Sequence, residues 1–173
     1  MFHNDIESGP ARFLSLSPLY FMRWKPNLTV AAVIEQAGRF LLVEEQTDAG
    51  LMLNQPAGHL ERGETLAAAV VRETLEESAH PFTPEYLIGI YHWPDDSKDI
   101  TYMRFAFGGT LGAPLAGRAL DAGIVRTVWM TRAEVAASRA RHRSPYVLTC
   151  VDDYLAGRRF PLDLVRHFAG VAA

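Results

Sequence analysis

Three glutamates, Glu73, Glu76 and Glu77, lie at the end of a stretch from Thr65 to Ser78 that contains no glycine or proline. On a helix, successive side chains turn by roughly 100° about the axis, so the three carboxylates fall within an arc of about 100° and share one face. Clustered oxygens suit a hard cation such as Mg²⁺, which keeps waters and bridges a few carboxylates to the phosphates of a ligand. Such an ion neutralises diphosphate charge and makes a bound water more acidic, while a spare carboxylate takes the proton. A run of acids is equally an ordinary solvated face. Like charges three and four residues apart cost only about 0.2–0.5 kcal/mol per pair, so charge alone leaves both readings open.

The elements that position these acids are legible in outline. Thr65 is placed to cap a helix running to Ser78, and Ala67, Ala68, Val71 and Leu75 form the side expected to pack on a sheet. Upstream, Leu28 to Ile34 and Phe40 to Val43 are β-favouring runs either side of Gln36-Ala37-Gly38-Arg39, which predicts a hairpin. Leu51 to Leu53 predicts a short strand ending at the turn Pro56-Ala57-Gly58. Further strands are predicted at Tyr86 to Trp93, Thr101 to Phe107 and Val125 to Met130, separated by the turn-rich segments Pro94 to Asp99 and Gly108 to Gly117. Thr131 caps a short helix towards Ser138. Ser144 and Pro145 form an N-cap and first-turn pair for a last helix to about Leu155, before Gly157. The mixed order of strands and helices predicts an α/β (α+β) fold, a mixed sheet packed between helices.

The 173 residues suffice for one domain, and 49% apolar with 21% charged residues is the composition of a soluble globular protein. No apolar run approaches the roughly 20 residues that span a bilayer. A net charge of −3 gives no long-range attraction for a nucleic acid polymer, so a polyanionic ligand needs local positive charge, most simply a bound cation. The single cysteine, Cys150, has no partner for an internal disulfide or a zinc site, which fits a reducing, cytoplasmic setting. Residues 1–24 carry Asp5 and Glu7 and no long apolar core, so they read as an N-terminal extension to a domain spanning 25–173, not as a secretory signal. Translation from Met22 would leave 1–21 outside the natural protein.

Gly58, five residues, Glu64, seven residues, Arg72-Glu73, two residues and Glu76-Glu77 reproduce the spacing of the Nudix box. The chain resembles the Nudix hydrolases from about Lys25 to Leu164. The stretches Gln55-Pro56-Ala57-Gly58-His59-Leu60-Glu61, Met103-Arg104-Phe105, Arg143-Ser144-Pro145 and Arg159-Phe160-Pro161-Leu162 are similar to a bacterial subgroup of nucleoside di- and triphosphatases. That subgroup also hydrolyses the pyrimidine pyrophosphate precursor of thiamine. Three positions depart from the family pattern: Thr74 and His80 stand where aliphatic residues are usual, and Ala79 stands where glycine could end the helix in the left-handed conformation.

The resemblance implies a Nudix fold and Mg²⁺-dependent hydrolysis of a small pyrophosphate, with Mn²⁺ as a substitute cation, in a monomer or homodimer. It implies Glu73, Glu76, Glu77 and the Gly58 carbonyl as metal ligands. Arg72 would orient the acids and Glu64 would pair with it at the helix entrance. Glu77 and Asp121 are the candidate bases, and Asp121 is equally a plain surface-loop residue. Arg104 sits among apolar strand neighbours, so it must pair with an acid or contact phosphate. His59 and Arg143 are phosphate contacts or solvated loop residues, the latter in a basic run with Arg139, Arg141 and His142. Tyr91 and Trp93 stack a base or pack the sheet edge. Alternatives are a Nudix enzyme for oxidised nucleotides, ADP-ribose or dinucleoside polyphosphates, and a noncatalytic Nudix-fold ligand sensor.

Overall fold

The computed structural model of the protein describes residues 24–168, so the expected N-terminal extension lies almost wholly outside the described residues. The strands are β1 Asn27–Ala32, β2 Glu35–Gln36, β3 Arg39–Thr47, β4 Gly50–Asn54, β5 Ala57–His59, β6 Phe82–Asp95, β7 Ile100–Leu111 and β8 Ile124–Thr131. The helices are α1 Leu66–Ser78, α2 Arg132–Ala137 and α3 Tyr146–Leu155. The β-structure divides into two four-stranded sheets. The first has the order β5-β1-β7-β6, with β1 and β7 parallel and the other pairs antiparallel. In the second, β3 is central, flanked by β8 on one edge and by β2 and β4 on the other.

The expected hairpin between the first two apolar runs does not form. β1 joins the first sheet and β3 the second, and the hairpin is the short one between β2 and β3. Its turn has positive φ at Ala37 and Gly38, and the Gly38 N–H donates to the Glu35 carboxylate at 2.6 Å. Both runs are apolar at consecutive positions because both faces are covered. Val30, Ala32 and Leu41 join a core beneath α1, while Val33 and Phe40 join one beneath α3. A third core seats α2 and α3 on Leu42 and Leu53 of the second sheet. Helices thus cover both sides, and no described helix is long and apolar enough to cross a membrane.

β7 continues through Gly108 and Gly109, where the sequence predicts a turn. These glycines pair with Tyr86 and Pro84, and a Cβ at Gly108 would lie 2.1 Å from the Tyr86 ring. They are close-approach glycines inside a strand.

Thr65 caps α1, its hydroxyl accepting from the Ala68 N–H at 3.0 Å. The face that α1 buries is not the one expected. Ala68 is exposed and Ala67, Val71 and Leu75 are half-buried, whereas Ala69, Val70, Glu73, Thr74 and Ser78 are buried. Positions 66, 69, 70, 73, 74, 77 and 78 follow the i, i+3, i+4, i+7, i+8 stripe that faces a sheet. The stripe is apolar in its first half and carries the acids in its second, so carboxylates and packing share one side. The Thr74 and Ser78 hydroxyls are satisfied within the helix, on the Val70 and Thr74 carbonyls. Ala79 ends the helix in the left-handed conformation at φ 59°, its N–H donating to the Leu75 carbonyl, although it is not glycine.

Thr131 and Glu134 form a reciprocal capping box on α2. The predicted Ser144 cap on α3 is absent. Pro145 occupies the cap position, only the Ser144 carbonyl accepts from the Val147 N–H, and the Ser144 hydroxyl has no partner.

Candidate active site

Arg72 organises the acids of α1. Its guanidinium forks onto Glu64, Nε to Oε1 at 2.9 Å and Nη2 to Oε2 at 3.0 Å. Nη1 reaches Glu73 at 2.7 Å and Glu76 at 3.0 Å, and Nη2 also donates to the His59 carbonyl at 3.0 Å. The fork matches the planar geometry of a guanidinium to a carboxylate and ties the helix to β5. These bonds, the Glu64 pair first, raise the Arg72 pKa, and the same pair lowers that of Glu64.

β5 approaches α1 closely at Gly58. A Cβ there would lie 2.1 Å from the Glu73 Cδ, so the Glu73 carboxyl fills the space a side chain would take. Removal from water pushes the Glu73 carboxyl above its ordinary pKa, against the pull of Arg72. The Ala57 N–H donates to Glu77 Oε2 at 2.8 Å. Burial nonetheless pushes Glu77 up to about 8, helped by the negative charges of Glu73, Glu45 and Asp121.

Among the described residues no three acid, histidine or cysteine side chains converge at metal-ligating spacing. The cause is visible: Arg72 holds Glu73 and Glu76, and Ala57 holds Glu77. The donor set is all oxygen and crowded, which is the chemistry of a site that a hard divalent cation fits.

Glu73, Glu77, Gly58 and His59 line one end of a cleft of about 350 Å³, with Arg104 and Arg143 further along it. Arg104, in the middle of β7, is only 6% exposed and forms no ion pair with an acid among the described residues. Its Nη1 makes long contacts with Asn54 Oδ1 at 3.3 Å and Gln55 Oε1 at 3.4 Å, and the guanidinium lies 4.9 Å from the Tyr146 ring centroid. Its Nε has no partner. Burial without a counter-ion lowers its pKa.

The other candidates separate. Arg143 alone of the basic run reaches the cleft, paired with Glu45 at 3.2 Å, while Arg141 is bound to the buried Glu44. Trp93 lines the cleft and stacks on Tyr102 with centroids 5.7 Å apart, whereas the Tyr91 hydroxyl turns to Asp153 at 2.9 Å. Asp121 is exposed and outside the cleft lining, its backbone N–H donating to the Glu76 carbonyl at 3.0 Å. Sequence reasoning did not single out Glu45 or Thr29, both of which line the cleft, and gave Ser144, which lines it too, only a capping role. A lone polar residue in a strand carries no periodic or motif signal.

Comparison with known proteins places this geometry in a family. The NUDIX domain matches residues 25–149, and the chain belongs to that family, the Nudix hydrolases. It is 35% identical over 147 residues to Escherichia coli K12 "Phosphatase NudJ", covering 84% of this chain and 94% of that relative. A NUDIX hydrolase from Nitrosomonas europaea is 51% identical and superposes with a TM-score of 0.82, covering 85% of this chain and all of that one. A bifunctional NMN adenylyltransferase/ADP ribose pyrophosphatase from Francisella tularensis, complexed with AMP and a manganese ion, shares the fold at 18% identity. Its TM-score is 0.61, over 77% of this chain and 42% of that one.

Proposed function

We propose that this Nudix hydrolase cleaves a phosphoanhydride bond of a nucleoside di- or triphosphate, or of a related small pyrophosphate, in a Mg²⁺-dependent reaction that releases orthophosphate. The carrying observation is the pairing in one cleft of the α1 carboxylates Glu73 and Glu77 with a buried arginine that lacks an acidic partner. The 35% identity to a phosphatase supports the choice of product.

Glu73, Glu76, Glu77 and the Gly58 carbonyl would hold the cation, Mg²⁺ or in its place Mn²⁺, whose charge would offset that of the phosphates and acidify the attacking water. Glu77 is the favoured proton acceptor, because it faces the cleft with a high proton affinity, and Asp121 lies outside the lining. Arg72 positions Glu73 and Glu76 without touching substrate. Arg104, Arg143 and His59 contact phosphate, with Arg143 exchanging Glu45 for the ligand.

The test is purified protein with Mg²⁺ and a panel of nucleoside di- and triphosphates, small pyrophosphates, ADP-ribose and dinucleoside polyphosphates, assayed separately for orthophosphate and pyrophosphate. Orthophosphate from the di- or triphosphates supports the proposal. Pyrophosphate release, or turnover of only ADP-ribose or dinucleoside polyphosphates, overturns it.

A further inference from the structure

Among the described residues, three buried polar side-chain atoms have no hydrogen-bond partner: Thr29 Oγ1, Arg104 Nε and Ser144 Oγ. All three residues are more than nine-tenths buried, and all three line the same cleft. They come from three separate elements, β1, β7 and the turn before α3. Buried polar groups are paired in the great majority of cases, so three orphans at one place point to a ligand that completes them.

Their placement orders that ligand. In a sheet, directly opposed residues share a face, and neighbouring strands are about 4.8 Å apart. Thr29 opposes His59 of β5 on one side and Arg104 of β7 on the other. Tyr102, two residues from Arg104 on the same face, opposes Trp93 of β6. From the carboxylate end, the cleft therefore presents His59, then Thr29 with Arg104, then the Tyr102–Trp93 stack. Two hydroxyls and a guanidinium can all donate, and the buried cation calls for an anion.

Resting on the proposed hydrolysis, we infer that Thr29, Arg104 and Ser144 form a donor cradle for the phosphoryl group that stays on the organic product, with Trp93–Tyr102 as the face for that product's planar ring. Water adds to the outer phosphorus, the anhydride P–O bond breaks, and the bridging oxygen leaves with the inner phosphoryl. Glu77 takes the proton. Thr29 and Ser144 are thus substrate-binding residues, and from a diphosphate substrate the cradle retains a monophosphate ester.

The orphan hydroxyls give the test two opposite signs. Thr29→Val and Ser144→Ala remove an unpaired buried group, so the ligand-free melting temperature stays level or rises. Binding of AMP, measured by calorimetry in EDTA, weakens about tenfold in each, in line with a lost hydrogen bond to a charged group. Ribose 5-phosphate binds the wild-type protein more weakly than AMP, and Trp93→Leu removes that difference.

No AMP binding by the wild-type protein in EDTA overturns the cradle, as does AMP affinity within twofold of wild type in the Thr29→Val, Ser144→Ala double variant. A protein that turns over no pyrophosphate yet shows these affinity losses keeps the cradle and loses the hydrolysis reading. One that turns over diphosphates while both variants bind AMP normally does the reverse.

Discussion

Replacing Glu77 by glutamine should stabilise the metal-free protein at alkaline pH while abolishing the proposed Mg²⁺-dependent turnover. The carboxyl is raised from 4.5 to about 8, by burial first and then by the charges of Glu73, Glu45 and Asp121. The folded chain therefore holds a proton that the unfolded chain releases between those values. With more protons bound in the folded state, stability falls as pH rises through that window, and the loss is complete above about 8. At about 1.4 kcal/mol per pKa unit, the span corresponds to about 3–5 kcal/mol. For a domain of this size, that is about 10 °C in melting temperature.

Glutamine is nearly isosteric and its carbonyl can still accept from the Ala57 N–H, so the fold survives the change. Melts in EDTA from pH 5 to 9 should show the variant pulling ahead of wild type as pH rises. His142, whose pKa burial lowers below 6.5, gives an opposite slope below that value in both proteins and cancels in the comparison. Added Mg²⁺ should raise the wild-type melting temperature more at pH 8.5 than at pH 6, because a cation favours the ionised carboxylates. Parallel stability curves for the two proteins, or near-normal turnover in the variant, would refute both the buried-acid reasoning and the role given to Glu77.

Ala79→Gly should stabilise the protein by about 0.5–1 kcal/mol, the relief of a left-handed alanine less the extra freedom of glycine in the unfolded chain. A higher urea midpoint at unchanged slope checks it. Gly58→Ala places a Cβ 2.1 Å from the Glu73 Cδ, so the carboxyl must move. Turnover should drop about 100-fold at a stability cost of about 1–3 kcal/mol, read by kcat and by melting. Arg72→Lys keeps the charge but loses the fork onto Glu64 and the simultaneous hold on Glu73 and Glu76. It should lower kcat about tenfold or more with KM little changed, given the proposed role of Arg72 in positioning the acids.

What the sequence disclosed follows the range of the interactions concerned. The box spacing and the caps at Thr65 and Thr131 are local, and the structure has both caps. Helical geometry puts Glu73, Glu76 and Glu77 on one side but does not tell which side faces the sheet, because Ala67, Ala68 and Val71 are as apolar as Ala69 and Val70. Only the i, i+3, i+4 stripe from Leu66 distinguishes them, and that stripe ends in acids that composition alone assigns to solvent. The predicted hairpin is absent because β1 pairs with β7, more than seventy residues away along the chain. Ser144 reads as a cap because a cap is its commonest local use, while it lines a cleft with Thr29 of β1 and Arg104 of β7.

Three unpaired buried polar groups and the suppressed charge of Glu77 gather around one cleft. Val30, Ala31 and Ala32 show what this stretch of β1 carries when it serves packing alone, and Thr29 beside them is nearly as buried yet hydroxylated and unpaired. Valine would fit there and alanine at Ser144, each relieving an unsatisfied group of about 1–3 kcal/mol, and glutamine at Glu77 would relieve a suppressed charge. Arg104 has no such substitute that keeps its charge, and it is buried without an acidic partner among the described residues. Costs scattered over a fold would be accidents of packing. Costs drawn from β1, β7, α1 and the turn before α3, and all facing the same 350 Å³, have a common remedy in an anionic ligand with a cation at one end. Metal and substrate should therefore stabilise this protein more together than separately, since each completes groups the other leaves bare.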